Sequence, residues 1–297
     1  MTATRPSWVP EDLYPFRSRF ADVAGARVHY VDEGTGPPLL MLHGNPTWSF
    51  LYRDVIRGLR DRFRCIAVDH PGFGLSGAPR GYGFTAAEHA AVLEQLVLSL
   101  ELDGLTLMVH DWGGPIGFAV ATRHPARFAR FIIANTWAWP KSDPGTQLFS
   151  RLLGGAVGRR LIVNRNLFVE RILPRGVRRG PLSDTVMEAY RGPFPTVASR
   201  LPTAVFPREI LAARPILADV ERGLPALSDR PALLTWATGD VAFREPERRR
   251  WEALFPDHRT VLVDGAGHYV HEDASGELVA AIRSWDPPGL DAAGSER

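Results

Sequence analysis

The chain has 297 residues, of which 45% are hydrophobic and 23% charged, with a formal net charge of +2. That length can bury a large core, and α/β folds of this size are commonly one domain. So balanced a charge argues against a nucleic-acid or anionic-membrane partner. Cys65, the one cysteine, allows no intramolecular disulfide and reads as a buried free thiol in an apolar strand. Of 35 basic residues only Lys141 is lysine, which reads as a compositional bias toward arginine on solvated faces.

Residues 1–20 are broken by charges and by Pro6, Pro10 and Pro15, so no signal peptide is expected. No apolar run reaches membrane-spanning length, and a cytoplasmic location is expected. Residues 1–17 lack periodicity and read as an arm on the surface. Residues 19–31 alternate around Ala24-Gly25 as a strand pair. An apolar run at 38–42 ends in His43-Gly44-Asn45-Pro46-Thr47-Trp48, and helical spacing follows over 50–59. A buried strand at 63–68 ends in Asp69-His70-Pro71-Gly72-Phe73-Gly74. Residues 85–102 form an amphipathic helix with Thr85 as N-cap and Glu88 at capping-box spacing. Strands at 105–109 and 128–134 flank a helix at 116–123.

The alternation stops at Asn135. Residues 137–224 are helical in patches, rich in Pro and Arg, with no clear buried strand. It resumes with a strand at 231–237, a helix at 247–255, a strand at 260–263 and a helix at 278–285. Residues 286–297 read as a disordered tail. Alternating strands and helices predict an α/β fold, a mostly parallel sheet with helices on both faces. The expected division is a core of 1–136 and 225–297, with a helical cap of 137–224 inserted between strands.

Candidate chemistry lies just after the strands, where such sheets gather it. Across His110-Asp111-Trp112-Gly113-Gly114 a buried strand turns into a helix through small residues. That is the setting of a nucleophile elbow, with Asp111 where serine hydrolases carry Ser. The competing reading of Asp111 is a helix cap. A carboxylate is already charged at neutral pH and attacks without a base. On a saturated carbon it leaves an ester that water cleaves, whereas a serine would leave an inert ether. Carbon–halogen or epoxide opening is therefore expected.

His268 follows the last strand and Asp240 the one before it, which gives the order nucleophile, acid, histidine. His268 is the expected base and Asp240 its orienting acid. Asn135, at the competing acid position, carries no charge. His271, beside Glu272 and Asp273, reads as solvated or capping. The backbone N–H groups of Asn45 and Trp112 are expected to form the oxyanion hole. A halide cannot be usefully protonated and needs neutral donors. The Trp112 indole and the Asn45 amide supply them. Trp137, Trp139, Phe149, Leu167, Phe168 and Phe206 are candidates to line an apolar pocket.

These motifs resemble the haloalkane dehalogenases of the α/β-hydrolase superfamily over about residues 13–285. The strongest segments are His43 to Arg53, Asp69 to Ser76, His110 to Pro115 and Gly267 to Asp273. An Asp acid at Asp240 with an Asn45 plus Trp112 halide pair is similar to the family's third subfamily. The resemblance implies hydrolysis of short haloalkanes to alcohol and halide, with no cofactor or metal. The partners are then the halogenated substrate and halide, and the chain a monomer or homo-oligomer. Where the family often has Gln this chain has His271, with no effect on the chemistry expected. Epoxide hydrolases are the nearest alternative, but they protonate the opening oxygen with two cap tyrosines, and the cap here has only Tyr190. A non-catalytic binding protein on this fold is the remoter one.

Overall fold

The computed structural model describes residues 5–285, so the tail expected at 286–297 lies outside the described residues. Eight strands form one sheet: β1 Arg19–Val23, β2 Ala26–Glu33, β3 Pro38–Leu42, β4 Arg64–Val68, β5 Leu105–Asp111, β6 Phe128–Thr136, β7 Ala232–Ala237 and β8 His258–Val263. Their order is β1-β2-β4-β3-β5-β6-β7-β8. The β1/β2 and β2/β4 pairs are antiparallel and all the others are parallel. Every residue of β5 is buried, as a parallel strand covered on both faces requires. The edge strand β8 is half exposed, which weakens its apolar signature and explains why it starts two residues before the expected 260.

The chain runs from β3 to β4 on one side, then returns to place β5 on the other side of β3. That reversal opens a crevice at the carboxyl ends of β3 and β5. The core-side helices are α1 Arg53–Leu59, α2 Ala86–Ser99 and α3 Gly113–Arg123. Six more lie between β6 and β7: α4 Pro144–Gly154, α5 Ala156–Arg165, α6 Leu173–Gly176, α7 Asp184–Arg191, α8 Leu201–Ala212 and α9 Arg214–Gly223. The chain closes with α10 Glu245–Leu254, α11 Val270–Asp273 and α12 Ser275–Ser284. Thr85 and Glu88 form the expected capping box on α2. Cys65 is buried and its thiol is pushed up to about 12 by loss of hydration.

Residues 5–17 do not only lie on the surface. Val9, Tyr14 and Phe16 are buried, Trp8 meets Trp48 edge-on at 5.6 Å, and the Tyr14 hydroxyl lies 2.6 Å from Ser49 Oγ. Spaced single apolar residues in a Pro-rich stretch show no period, so the anchoring was invisible to pattern reading.

A buried ion pair ties the layers together. Arg53 of α1 grips Glu272 of α11 through two bonds of 2.5 and 2.6 Å, and the Tyr190 hydroxyl of α7 donates to the same carboxylate. Both charges lie out of water, so removing one strands the other. Glu272→Gln is expected to lower the unfolding free energy by about 3 kcal/mol, read from the urea midpoint at unchanged slope. A loss below about 1 kcal/mol would show the pair to be dispensable.

Candidate active site

Asp111 ends β5 and Gly113 begins α3, so one residue makes the turn from strand to helix. Asp111 takes a φ of +48°, a left-handed conformation that costs a non-glycine residue energy and lifts its side chain out of the strand. Small residues allow the turn. A Cβ on Gly113 would overlap the Leu42 carbonyl of β3, and one on Gly44 would overlap the Asp111 carboxylate. The helix therefore starts at Gly113, three residues before the expected 116.

The carboxylate is held from beneath. Asn45 N–H, on the loop after β3, donates to Asp111 Oδ2 at 2.8 Å, and the Trp112 backbone N–H donates as well. Burial pushes the Asp111 carboxyl above its ordinary range, while His268 and these two amides pull it back. His268 Nε2 lies 4.0 Å from Asp111 Oδ1, too far for a direct hydrogen bond. On its other side His268 Nδ1 meets Asp240 Oδ2 at 2.9 Å. A carboxylate accepts only, so Nδ1 carries the proton and the neutral ring turns its Nε2 lone pair toward Asp111. Burial works against charge on His268, but Asp240 and Asp111 outweigh it and raise the imidazole above its ordinary value.

Supporting contacts fix this line of groups. Asn135 Nδ2 donates to Asp240 Oδ2 at 3.0 Å, and the Ala242 N–H donates to Oδ1 at 2.7 Å. The Asn that fills the competing acid position thus braces Asp240. His110 Nε2 donates to the His268 carbonyl at 2.8 Å and ties the histidine loop to the residue before Asp111. Sequence reading missed both residues. His110 had a signal in its place next to Asp111, while Asn135 reveals its partner only through the sheet. His271 corrects an expectation. It is buried, not solvated, set edge-on to Tyr52 at 4.9 Å and 5.1 Å from His110, with burial lowering its pKa to about 3. A one-turn helix docked beneath the site buries a residue that local charge patterning places outside.

Asp111, His268, Asp240, Asn45 and Trp112 surround one cavity of about 420 Å³. Trp112 is packed between Trp137, edge-on at 4.8 Å, and Phe206, stacked at 4.7 Å, and its indole N–H has no hydrogen-bond partner among the described residues. Asn45 Nδ2 donates to the Thr203 carbonyl at 3.2 Å. Four residues on, where a helix would supply that carbonyl's donor, α8 has Pro207, which has none. The Asn45 amide fills the place and so joins the β3 loop to α8.

Of the expected lining residues, Trp137, Phe149 and Phe168 face the cavity. Three do not line it. Phe206 stands behind Trp112 and supports it, Trp139 packs on Trp251 at 4.9 Å, and Leu167 packs against a satellite cluster around Ile162 and Val163. An aromatic or Leu can turn to any of several neighbours, and only the packing decides. Ile172, Pro207, Ile210, Phe243 and Tyr269 complete much of the apolar wall.

A carboxylate on a strand–helix elbow, opposite a histidine–carboxylate pair at the switch point of a parallel sheet, defines an α/β hydrolase with Asp in place of Ser. The model of the alpha/beta hydrolase fold family matches residues 37–275. Haloalkane dehalogenase 2 of Mycobacterium tuberculosis H37Rv is 48% identical over 272 residues, covering 91% of this chain and 95% of that protein. A cis-3-alkyl-4-alkyloxetan-2-one decarboxylase of Shewanella oneidensis is 35% identical, covering 92% and 89%. The crystal structure of haloalkane dehalogenase DbeA from Bradyrhizobium elkani superposes with a TM-score of 0.84 at 27% identity, covering 93% and 99%. The chain belongs to the haloalkane dehalogenase family.

Proposed function

We propose that the protein hydrolyses haloalkanes to an alcohol and halide through an ester on Asp111. The carrying observation is the Asp111 carboxylate on its elbow, facing a largely apolar cavity, with His268 Nε2 at 4.0 Å. One Asp111 oxygen attacks the halogen-bearing carbon. The C–O bond forms as the carbon–halogen bond breaks, and halide leaves toward the Trp112 indole and the Asn45 amide. In the second step His268 takes a proton from water, whose oxygen attacks the ester carbonyl of Asp111. The gap beyond direct contact is the spacing a bridging water needs. The backbone N–H groups of Asn45 and Trp112, already on the carboxylate, hold the oxyanion as charge builds. Collapse returns the proton from His268 to the departing alkoxide, and the second water proton, left on the Asp111 carboxyl, passes through His268 to solvent to restore the carboxylate. Nucleophile, base, acid and water complete both steps, so the reading calls for no cofactor or metal. The segment 137–224 acts as the roof over this site. The Asp240 acid with the Asn45 and Trp112 pair supports the third subfamily. The reading places the protein in the cytoplasm, where the single thiol stays reduced.

The epoxide alternative needs hydroxyl donors. Tyr190 spends its hydroxyl on Glu272, and Tyr269, which lines the cavity, donates to the Asn45 carbonyl at 3.2 Å. Halide is therefore favoured. Bromide release from 1-bromobutane and 1,2-dibromoethane, beside diol formation from styrene oxide, tests the choice. Carbon dioxide release from a cis-3,4-dialkyloxetan-2-one adds the relative's reaction as a third arm. Bromide alone supports the proposal. Diol or carbon dioxide without bromide overturns it.

Asp240→Asn should lower turnover about 10³- to 10⁴-fold, because the amide no longer enforces the tautomer or stabilises imidazolium. The sign of the pH effect follows from the raised His268 pKa. The base works when neutral, so kcat limited by ester hydrolysis rises with pH through that pKa. Removing the Asp240 charge lowers it, and the acid limb of the kcat profile should move to lower pH. A limb that stays in place would assign it to another group.

A further inference from the structure

Net charge hides its own distribution. Residues 144–179 contain eight arginines and one carboxylate, Glu170, a net charge of +7 against +2 for the whole chain, so the rest carries −5. The same stretch carries misplaced apolar surface. Of eight large hydrophobic side chains that the fold leaves exposed, five lie here: Leu148, Phe149, Leu152, Val157 and Leu161, from 42% to 76% exposed. Helices α4 and α5 turn their other sides to α8, where Ser150, Ile162 and Val163 are buried. Outward, each helix presents an apolar pair four residues apart, Leu148 with Leu152 and Val157 with Leu161. Arg159, Arg160 and Arg165 stand among them exposed, with no carboxylate partner among the described residues.

We infer that the α4–α5 corner docks on an anionic lipid bilayer. Exposed apolar side chains rimmed by unpaired arginines are the composition of an interfacial surface: the apolar groups enter the headgroup boundary while the guanidinium groups meet lipid phosphates. A second copy of the chain is disfavoured by charge, since a symmetric contact would set Arg159, Arg160 and Arg165 against the same three cations. The surface also adjoins the site, because Phe149 both lines the cavity and is 42% exposed. Apolar haloalkanes concentrate in bilayers, so docking would place the cavity mouth at their reservoir. That purpose rests on the dehalogenase reading; the docking itself does not. It also reverses the expectation, drawn from net charge alone, of no membrane partner. No described helix is long and apolar enough to cross a membrane, and this mode needs none.

Co-sedimentation of the full chain with phosphatidylglycerol/phosphatidylcholine vesicles tests the inference. Binding is expected on these vesicles, not on pure phosphatidylcholine, and should fall with added salt. Each arginine near the surface contributes about fivefold to partitioning, so Arg159→Gln with Arg160→Gln should weaken binding about 25-fold. Leu152→Asp with Val157→Asp should abolish it. Both pairs lie outside the catalytic groups, so bromide release from a water-soluble bromoalkane should stay at the unsubstituted level and separates this result from failure of the functional reading. No binding to anionic vesicles, or equal binding by both variants, overturns the inference. Light scattering that shows an oligomer dispersed by Leu152→Asp with Val157→Asp, without vesicle binding, assigns the surface to a second copy instead.

Discussion

Asp111→Ala abolishes bromide release from 1-bromobutane, a loss of about 10⁴-fold or more. The size of the effect follows from the chemistry of the elbow. Water activated by His268 could attack the carbon directly, but on the proposed route that water attacks an ester carbonyl on Asp111, not a saturated carbon. Without the carboxylate there is no ester for it to reach. The loss should not come from unfolding. Burial raises the Asp111 pKa, so the ionised group costs stability that its removal returns. Against this, Ala is strained at a φ of +48°. The two effects oppose, and the thermal midpoint is expected to move by only a few degrees. Bromide release at one-hundredth of the native rate or better, in a folded variant, would remove Asp111 from the nucleophile role.

How much of this was legible in the sequence depends on range. The strands and the turns after them were readable because each signal is local: an apolar run, then glycines and a polar residue. Asp111, Asp240 and His268 fall at strand ends, and the sheet brings those ends to one edge. The α2 capping box was likewise complete within four residues. Long-range partners were not readable. Nothing near Asn135 announces that its amide will meet Asp240, 105 residues later, and nothing near Asn45 announces the carbonyl that Pro207 leaves without a donor. Pocket aromatics failed for a related reason. Phe206 and Trp139 are as apolar as Phe168, but the side to which each packs is fixed by neighbours from other segments. His271 failed by context: beside Glu272 and Asp273 it looks solvated, yet the Glu272 side chain is itself buried against Arg53. The charge of residues 144–179 was visible all along as a local sum and was lost in a total of +2.

His268→Gln should separate the two halves of the reaction. The first step needs the carboxylate, a carbon to attack and donors for the leaving halide, and the variant keeps all of them. It also removes the positive charge that His268 can place beside Asp111, but the Asn45 and Trp112 amides remain on the carboxylate. Alkylation should therefore proceed. Hydrolysis should not, because a glutamine amide cannot take a proton from water at neutral pH. One bromide per protein molecule is expected, followed by a halt of about 10⁴-fold relative to native turnover. The protein should gain about 56 Da, a butyl group in place of a negative charge and its counter-proton, and the gain should map to the peptide containing Asp111. Two results would break the argument in different places. Steady turnover would mean that another group activates water. His110 is the nearest rival by position, but it is buried, its Nε2 is committed to the His268 carbonyl, and loss of hydration lowers its pKa far below the ordinary value. Absence of both bromide and adduct, in a variant that still folds, would mean that His268 is needed before the ester forms, and the two-step order proposed for this site would fall.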